Sequence, residues 1–141
     1  MSVFVDTGVF YAHQHERASR HDVATDALRA TLSGEYGRLY TSDYVHDEAV
    51  TLVRKRTGSF EGTKAVSDRI LDSGSPISIL QVDRPRVRES VETFERYRDH
   101  DLSFTDATII SQVEANDIDT VLSFDDDFDG IVDRTDPSEV V

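Results

Sequence analysis

Short apolar runs alternate with longer amphipathic stretches along this chain. The first run, residues 3–5, contains only β-branched and aromatic residues and is too short for a helix, so it predicts a buried strand of a parallel sheet. Later runs predict strands at 38–41, 77–82 and 120–123, and an edge strand that begins at residue 131. Apolar residues at helical spacing predict helices at 22–32, 43–56 and 60–71, and two more that begin near Pro85 and at Ser103. This order predicts an α/β domain with a mostly parallel sheet of four to five strands flanked by helices.

The same spacing predicts which side of each helix is buried. The predicted buried positions are Val23, Ala27, Leu28 and Leu32 in one helix, Val45, Ala49, Leu52 and Val53 in the next, and Val87, Val91 and Phe94 in the helix near Pro85. The polar stretch from His13 to Arg20 predicts a loop. Residues 125–130 predict a turn or one short helical turn.

Length and composition limit the class of protein. The chain has 141 residues, 38% of them hydrophobic, which is enough for one core, so we expect a single domain over residues 1–141. No apolar run reaches the roughly 18 residues of a membrane helix, and no basic stretch followed by an apolar one opens the chain. We therefore expect no membrane segment and a cytoplasmic location. The absence of cysteine excludes disulfides and thiolate metal sites.

The formal net charge of -13 counts against a nucleic-acid binder, which usually carries a basic patch. However, the acids are dispersed along the chain, and Lys55 and Lys64 are the only lysines. This composition is typical of a halophile with a salt-loaded cytoplasm. At about 1 M salt the Debye length is about 3 Å, so repulsion from phosphate is largely screened. Net charge is therefore a poor guide to the partners of this protein.

Two acids follow predicted strands. Asp6 ends the first strand, and Asp125 comes just after the fourth. Ligands of open α/β sheets bind outside the carboxyl ends of the strands, so both carboxylates are placed for chemistry. Each also has a simpler interpretation. Asp6 could only cap the next helix, and Asp125 could belong to a solvated acidic turn with Asp126, Asp127 and Asp129.

Two further acids lie on the apolar faces of predicted helices. Glu48 lies between Val45 and Leu52 on one face, and Asp106 shares the apolar face of the last helix. An unpaired charge in such a place costs several kcal/mol or shifts its pKa. Glu48 could instead lie at the edge of its stripe and reach solvent. Asp106 and Ser103 have the spacing of a capping box, which does not exclude a role as a ligand.

Four carboxylates near one sheet edge would repel one another and raise each other's pKa unless a cation joins them. The candidate ligands are Asp6, Glu48, Asp106 and Asp125, with Asp127 as a further candidate. An oxygen-only ligand set favours Mg²⁺ or Mn²⁺ over Zn²⁺. Such ions are shared with substrate phosphates, make hydroxide available and stabilise displacement at phosphorus.

The segments around these acids resemble those of the PIN-domain nucleases, and most of all the VapC-type ribonuclease toxins. The similarity covers essentially the whole chain, in order, and is carried by residues 3–7, 47–50, 102–107 and 122–128. It implies a PIN-like three-layer fold and makes Asp6, Glu48, Asp106 and Asp125 the acidic quartet that holds Mg²⁺ or Mn²⁺. Thr7 and Ser123 match small polar positions of the family. Gly8 departs from the family, which often has Ser or Asn there.

The resemblance also implies an activity and partners. It implies a metal-dependent ribonuclease that cleaves single-stranded or looped RNA. It further implies a homodimer, and a small antitoxin protein whose C-terminal segment covers the site.

Arginines predict where RNA is held despite the negative charge. Arg17 and Arg20 follow the Asp6 turn, and Arg54 is six residues beyond Glu48, which is about 9 Å along a helix. Arginine suits this role because its planar fork grips phosphate in a bidentate way. The alternative is that these arginines pair with the many surface acids. A second basic group, Arg84, Arg86 and Arg88, is the next candidate.

Other classes of protein fit less well. Asp6-Thr7-Gly8 matches the triplet of aspartic proteases, but there is no second copy and the helical stripes argue against an all-β fold. His46 and Glu48 have the spacing found in zinc deaminases, but the cysteine pair of that site is missing. The alternative that remains is a PIN-like domain that only binds a partner or RNA and has no catalytic activity.

Overall fold

In a computed structural model, which describes residues 1–140, five strands form one parallel sheet. The strands are β1 (Ser2–Val5), β2 (Arg38–Ser42), β3 (Ile77–Leu80), β4 (Thr120–Leu122) and β5 (Arg134–Thr135). Their order across the sheet is β3-β2-β1-β4-β5, and each neighbouring pair is parallel. The predicted α/β class and the mostly parallel sheet are confirmed.

Six helices flank the sheet. They are α1 (Thr7–Gln14), α2 (His21–Leu32), α3 (Asp43–Thr57), α4 (Phe60–Leu71), α5 (Arg84–Arg96) and α6 (Phe104–Ala115). Two short 3₁₀ turns follow at Asp126–Phe128 and Pro137–Glu139. Within residues 1–140, every helix is too short or too polar to cross a membrane.

The strand order reverses at β1. The chain passes from β1 to β2 and β3 on one side, and then returns to the other side of β1 for β4 and β5. In open α/β sheets, a crevice forms outside the carboxyl ends of the strands at such a reversal. The residues that follow β1 and β4 therefore line the place where a ligand is expected.

Local signals set the helix boundaries near this crevice. Ser42 caps α3 by accepting a hydrogen bond from the Val45 amide, and Ser59 caps α4 in the same way from the Gly62 amide. Gly58 ends α3 with a left-handed φ of 68°, a conformation that glycine adopts at little cost. The predicted break between these helices is confirmed.

The buried faces of α2 and α5 differ from the prediction. In α2, Ala27 and Leu28 are buried as predicted, whereas Val23 and Leu32 are exposed and Ala24 and Thr31 are buried in their place. The Thr31 hydroxyl donates to the Leu28 carbonyl, so its burial leaves no unpaired polar group. In α5, Ser90 is buried and donates to the Arg86 carbonyl.

Of the three apolar residues of α5 that were predicted to be buried, Val87 is half-buried and the other two are exposed. Val91 and Phe94 are each 41% exposed. The apolar stripe of α5 exists as predicted, but it lies on the outer side of the helix. The inner side carries the small hydroxyl residues Ser90 and Thr93, which are buried.

The remaining differences are shifts of element boundaries. His13 belongs to α1, so the predicted loop begins only at His15. The final edge strand lies at 134–135 rather than beginning at 131. The amides of Ile131 and Val132 both donate to the Phe128 carbonyl, and this turn uses the residues that were predicted to form the strand.

Candidate active site

The reversal of strand order brings the four predicted acids to one cleft. Asp6 follows β1 and Asp125 follows β4, whereas Glu48 comes from α3 and Asp106 from the first turn of α6. The Asp6 amide donates to the Leu122 carbonyl over 3.1 Å, which extends the pairing of the two central strands to the edge of the cleft. The cleft has a volume of about 660 Å³, and all four acids line it.

Asp6 is buried, and each of its carboxylate oxygens accepts a hydrogen bond. One carboxylate oxygen accepts a hydrogen bond from the Thr7 amide over 2.8 Å, and the other accepts from the Ser123 hydroxyl over 2.6 Å. Burial raises the pKa of Asp6 to about 6, against the opposing effect of these two hydrogen bonds. The negative charges of Glu48 and Asp125 raise it further. Asp6 therefore caps α1, as the simpler interpretation held, and also faces the cleft.

Ser123 connects the ends of the two central strands. Its buried hydroxyl donates to Asp6 and accepts a hydrogen bond from the Asp125 amide over 2.9 Å. One side chain thus fixes the carboxylate that follows β1 and the backbone of the acid that follows β4. In the sequence, only the family resemblance drew attention to Ser123.

Asp106 is held by the capping box that its spacing with Ser103 indicates. The Ser103 amide donates to Asp106 Oδ2 over 3.0 Å, and the Asp106 amide donates to the Ser103 hydroxyl over 3.1 Å. Burial raises the pKa of Asp106 to about 7, and the nearby charge of Asp6 is the next largest cause. Asp106 is therefore both a cap and a member of the cleft, and within residues 1–140 no hydrogen bond reaches its Oδ1.

The acids after β4 form a tight local cluster. Asp125 caps the 3₁₀ turn by accepting from the Asp127 amide over 2.9 Å. Carboxylate oxygens of Asp125, Asp126 and Asp127 lie within 4.8 Å of one another, the one such group of three acids that residues 1–140 contain. Interaction with Asp125 raises the pKa of Asp127. This group includes Asp125 of the predicted quartet and the further candidate Asp127, and the other three acids of the quartet line the same cleft without belonging to it.

Thr7 lies at the same edge with its hydroxyl unsatisfied. The side-chain oxygen is buried and has no hydrogen-bond partner among residues 1–140. Thr7 also lines the cleft. Since buried polar groups are almost always hydrogen-bonded, this hydroxyl indicates a missing partner, such as a water molecule, an ion or a substrate oxygen.

The donor set fits a hard divalent cation. All the candidate ligands are carboxylate or hydroxyl oxygens, which suit Mg²⁺ or Mn²⁺ better than Zn²⁺. Asp6 and Asp106 have raised pKa values because they are buried among like charges. A bound cation would remove that penalty, and the open oxygen of Asp106 is free to contact it.

The three predicted RNA-binding arginines lie in different places. Arg20 lines the acidic cleft, with its guanidinium carbon 4.7 Å from the centroid of the Phe124 ring. Arg17 lines a neighbouring cavity, and Arg54 lies near the end of α3 outside the cleft. None of the three forms an ion pair with a described carboxylate.

Two residues of the site were not found from the sequence. Asp101 lines the cleft from the loop before α6. Arg134 donates to the Ser123 carbonyl over 3.0 Å and forms ion pairs with Asp129 and Asp136. Arg134 thus ties the turn that carries Asp125 to the edge strand. No local pattern marks this role, because it depends on the pairing of β4 with β5.

Comparison with known proteins agrees with the fold. Residues 3–133 match the PIN domain family. A VapC ribonuclease of Archaeoglobus fulgidus is 26% identical over 133 residues, which cover 91% of this chain and 80% of that protein.

Two solved structures show the same fold. The crystal structure of Mycobacterium tuberculosis VapC20, described as a sarcin-ricin loop cleaving toxin, has a TM-score of 0.78 and 25% identity, covering 92% of this chain and 96% of its own. A toxin-antitoxin complex from Klebsiella pneumoniae has a TM-score of 0.67 at 17% identity, covering 98% of this chain and 99% of its own, and that similarity shows the fold alone. This chain belongs to the PIN domain family.

Proposed function

We propose that this protein is a metal-dependent endoribonuclease and the toxin of a toxin–antitoxin pair, and that it cleaves single-stranded or looped RNA. The observation that carries the proposal is the meeting of Asp6, Glu48, Asp106 and Asp125 in one cleft at the reversal of a PIN-domain sheet. The similarity of this chain to a VapC ribonuclease and to a toxin described as cleaving the sarcin-ricin loop supports the same activity.

The acids of the cleft would hold Mg²⁺ or Mn²⁺, with Asp127 as a further ligand. When bound, such a cation lowers the pKa of water and stabilises the charge that develops at phosphorus. The protein's own part is positioning. Ser123 fixes one oxygen of Asp6, and the Ser103 amide fixes Oδ2 of Asp106 and leaves Oδ1 toward the ligand. The buried Thr7 hydroxyl lies at the same edge and has no hydrogen-bond partner among residues 1–140.

Arg17, Arg20 and Arg54 would hold the RNA backbone beside this cleft. None of them forms an ion pair with a described carboxylate, although 28 acids are present in the chain. Arg20 is the arginine that lines the cleft itself. It would contact the phosphate nearest to the scissile bond, and Arg17 and Arg54 would contact phosphates further away.

The proposed partners follow from the same relatives and from one surface. A solved neighbour is a toxin-antitoxin complex, which supports a small antitoxin that covers the cleft. The exposed Val91 and Phe94 of α5 support a homodimer in which a second copy covers this stripe. We propose that residues 1–141 act as a single domain, in the cytoplasm.

Expression in a tractable host tests the proposal. Induction of the wild-type protein should arrest growth, and sequencing of RNA ends shortly after induction should show new, discrete cleavage positions. Asp106→Asn should abolish both effects. Glu92→Gln, which removes one exposed acid of α5 far from the cleft in sequence, is the matched control and should remain toxic. Growth arrest by Asp106→Asn, with the same RNA ends, would reject the proposed site.

A further inference from the structure

An exposed aromatic ring lies beside the basic end of α3. Phe60 is the first residue of α4, and it is 67% exposed, more than any other phenylalanine of the chain. The guanidinium carbon of Arg54 lies over one face of this ring, 5.8 Å from its centroid. Most of this ring therefore stays accessible to a binding partner, next to a positively charged group.

The basic residues at this end of α3 are free to bind an anion. Arg54, Lys55 and Arg56 close the helix, and none of them forms an ion pair with a described carboxylate. Other basic residues, such as Lys64 and Arg134, do pair with acids. The helix dipole favours cations at a C-terminus, but it does not explain an exposed aromatic ring beside them.

A cavity of about 700 Å³ lies next to this basic end, between α1 and the turn from α3 to α4. Arg17, Arg56 and His15 line it, and Glu16 and Glu61 also border it without forming an ion pair with either arginine. The guanidinium carbon of Arg56 lies 5.0 Å from the centroid of the Tyr11 ring.

Contact with an aromatic ring orients an arginine side chain and leaves its hydrogen-bond donors unpaired. A guanidinium stacked on an aromatic ring uses its flat face, and its in-plane N–H groups stay available for phosphate.

The cavity and the acidic cleft are lined by different parts of the same two segments of the chain. The loop between α1 and α2 contributes Arg20 to the cleft and Arg17 to the cavity. Helix α3 likewise contributes Glu48 to the cleft and Arg56 to the cavity. Eight residues separate the last two, which is about 12 Å along a helix axis. A single strand bound at the cleft would need to extend by about this distance along α3 to reach its basic end, where Arg54 contacts Phe60.

We propose that Phe60, Arg54 and Arg56 form a subsite for a nucleotide of single-stranded RNA away from the scissile bond. The open face of Phe60 stacks with a base, and the arginines bind the adjoining phosphates. The subsite deepens the proposed ribonuclease function and rests on it. Because stacking on a ring tolerates every base, it selects for unpaired RNA rather than for a sequence.

Binding of a short single-stranded RNA tests the subsite. The parent protein carries Asp106→Asn so that the probe stays intact, and fluorescence anisotropy of a labelled RNA of about 12 nucleotides gives the affinity. Adding Phe60→Ala should weaken binding about fivefold or more, and Phe60→Trp should restore it. Leu71→Ala, at the other end of the same helix and 52% exposed, is the matched control and should bind normally.

Two readouts separate stacking from charge. Phe60→Ala should leave the salt dependence of binding unchanged. Arg54→Gln with Arg56→Gln should reduce the slope of log affinity against log salt concentration by about 0.7 for each lost phosphate contact. On a ribose-phosphate probe without bases, Phe60→Ala should have no effect.

Equal RNA affinity of the parent and its Phe60→Ala variant would overturn the subsite and assign the ring to a protein partner. If the parent binds RNA and the wild type cleaves it, that result leaves the ribonuclease proposal standing. If the wild type cleaves no RNA and the parent binds none, the ribonuclease proposal fails, and the subsite fails with it.

Discussion

Replacing Asp106 with asparagine should stabilise the metal-free protein at about pH 8, although it removes a proposed ligand. The fold raises the pKa of Asp106 to about 7, whereas an aspartate in an unfolded chain has a pKa of about 3.9. Asparagine keeps an oxygen that accepts the Ser103 amide, so the capping box survives in part. The substitution therefore removes mainly the cost of an ionised carboxylate buried beside Asp6.

The sign and size follow from proton linkage. Between about pH 4 and pH 7 the folded protein holds a proton on Asp106 that the unfolded chain has released, so the stability of the wild type falls as pH rises through this range. At about pH 8 the full penalty is present, with an upper bound of about 4 kcal/mol, and at about pH 5 it is about 1.5 kcal/mol. The gain in Asp106→Asn should shrink accordingly at the lower pH.

Urea unfolding in EDTA at both pH values, at one fixed salt concentration, measures this gain as a difference in the free energy of unfolding. The Glu92→Gln variant controls for the loss of one negative charge from the whole protein. A gain that is the same at both pH values would refute the reasoning. So would an Asp106→Asn variant that is less stable than the wild type at the higher pH.

Four further predictions follow from the same geometry. Mn²⁺ should raise the melting temperature of the wild type, with about 2.7 kcal/mol of stabilisation at a hundred times its Kd, and Asp106→Asn should lose most of this gain in a thermal shift assay. That stabilisation should weaken as pH falls below about 6, because protons compete for Asp6 and Asp106; a flat pH profile of the shift would contradict this. Arg134→Gln should lower the free energy of unfolding by about 2 kcal/mol and slow cleavage, because it leaves the Ser123 carbonyl and two acids without their donor; wild-type unfolding curves would contradict it. The fold should persist at roughly 2 M KCl and weaken in dilute buffer, because salt screens the repulsion among the dispersed acids. Equal circular dichroism melting curves at both salt concentrations would reject the halophile interpretation.

The sequence predicted those features of the site that depend on local patterns. Spacing alone indicated the capping box of Ser103 and Asp106, and the end of the first strand marked Asp6. The meeting of β1 and β4 was expected only through the general rule that parallel strands present their carboxyl ends at one edge. The family resemblance then linked the four acids.

Other features depend on long-range pairing, which no local pattern encodes. The hydrogen bond from Ser123 to Asp6 spans 117 positions and needs the register in which Val5 pairs with Leu122. Arg134 reaches the same region only because β5 pairs with β4. The buried face of α5 was predicted wrongly for a related reason. Which side of a helix is buried depends on the element that packs against it, and hydrophobic spacing does not show that this side includes Ser90.

The most direct test of the central claim is single-turnover cleavage of a labelled single-stranded RNA by the purified protein, with and without Mn²⁺. The account predicts cleavage that requires the cation and is lost in both Asp6→Asn and Asp106→Asn, while these variants stay folded and Glu92→Gln cleaves normally. Cleavage at the wild-type rate by both aspartate variants would contradict the acidic site. Absence of cleavage by a folded wild type with Mn²⁺ bound would instead identify a PIN-like domain that binds its partners without catalysis.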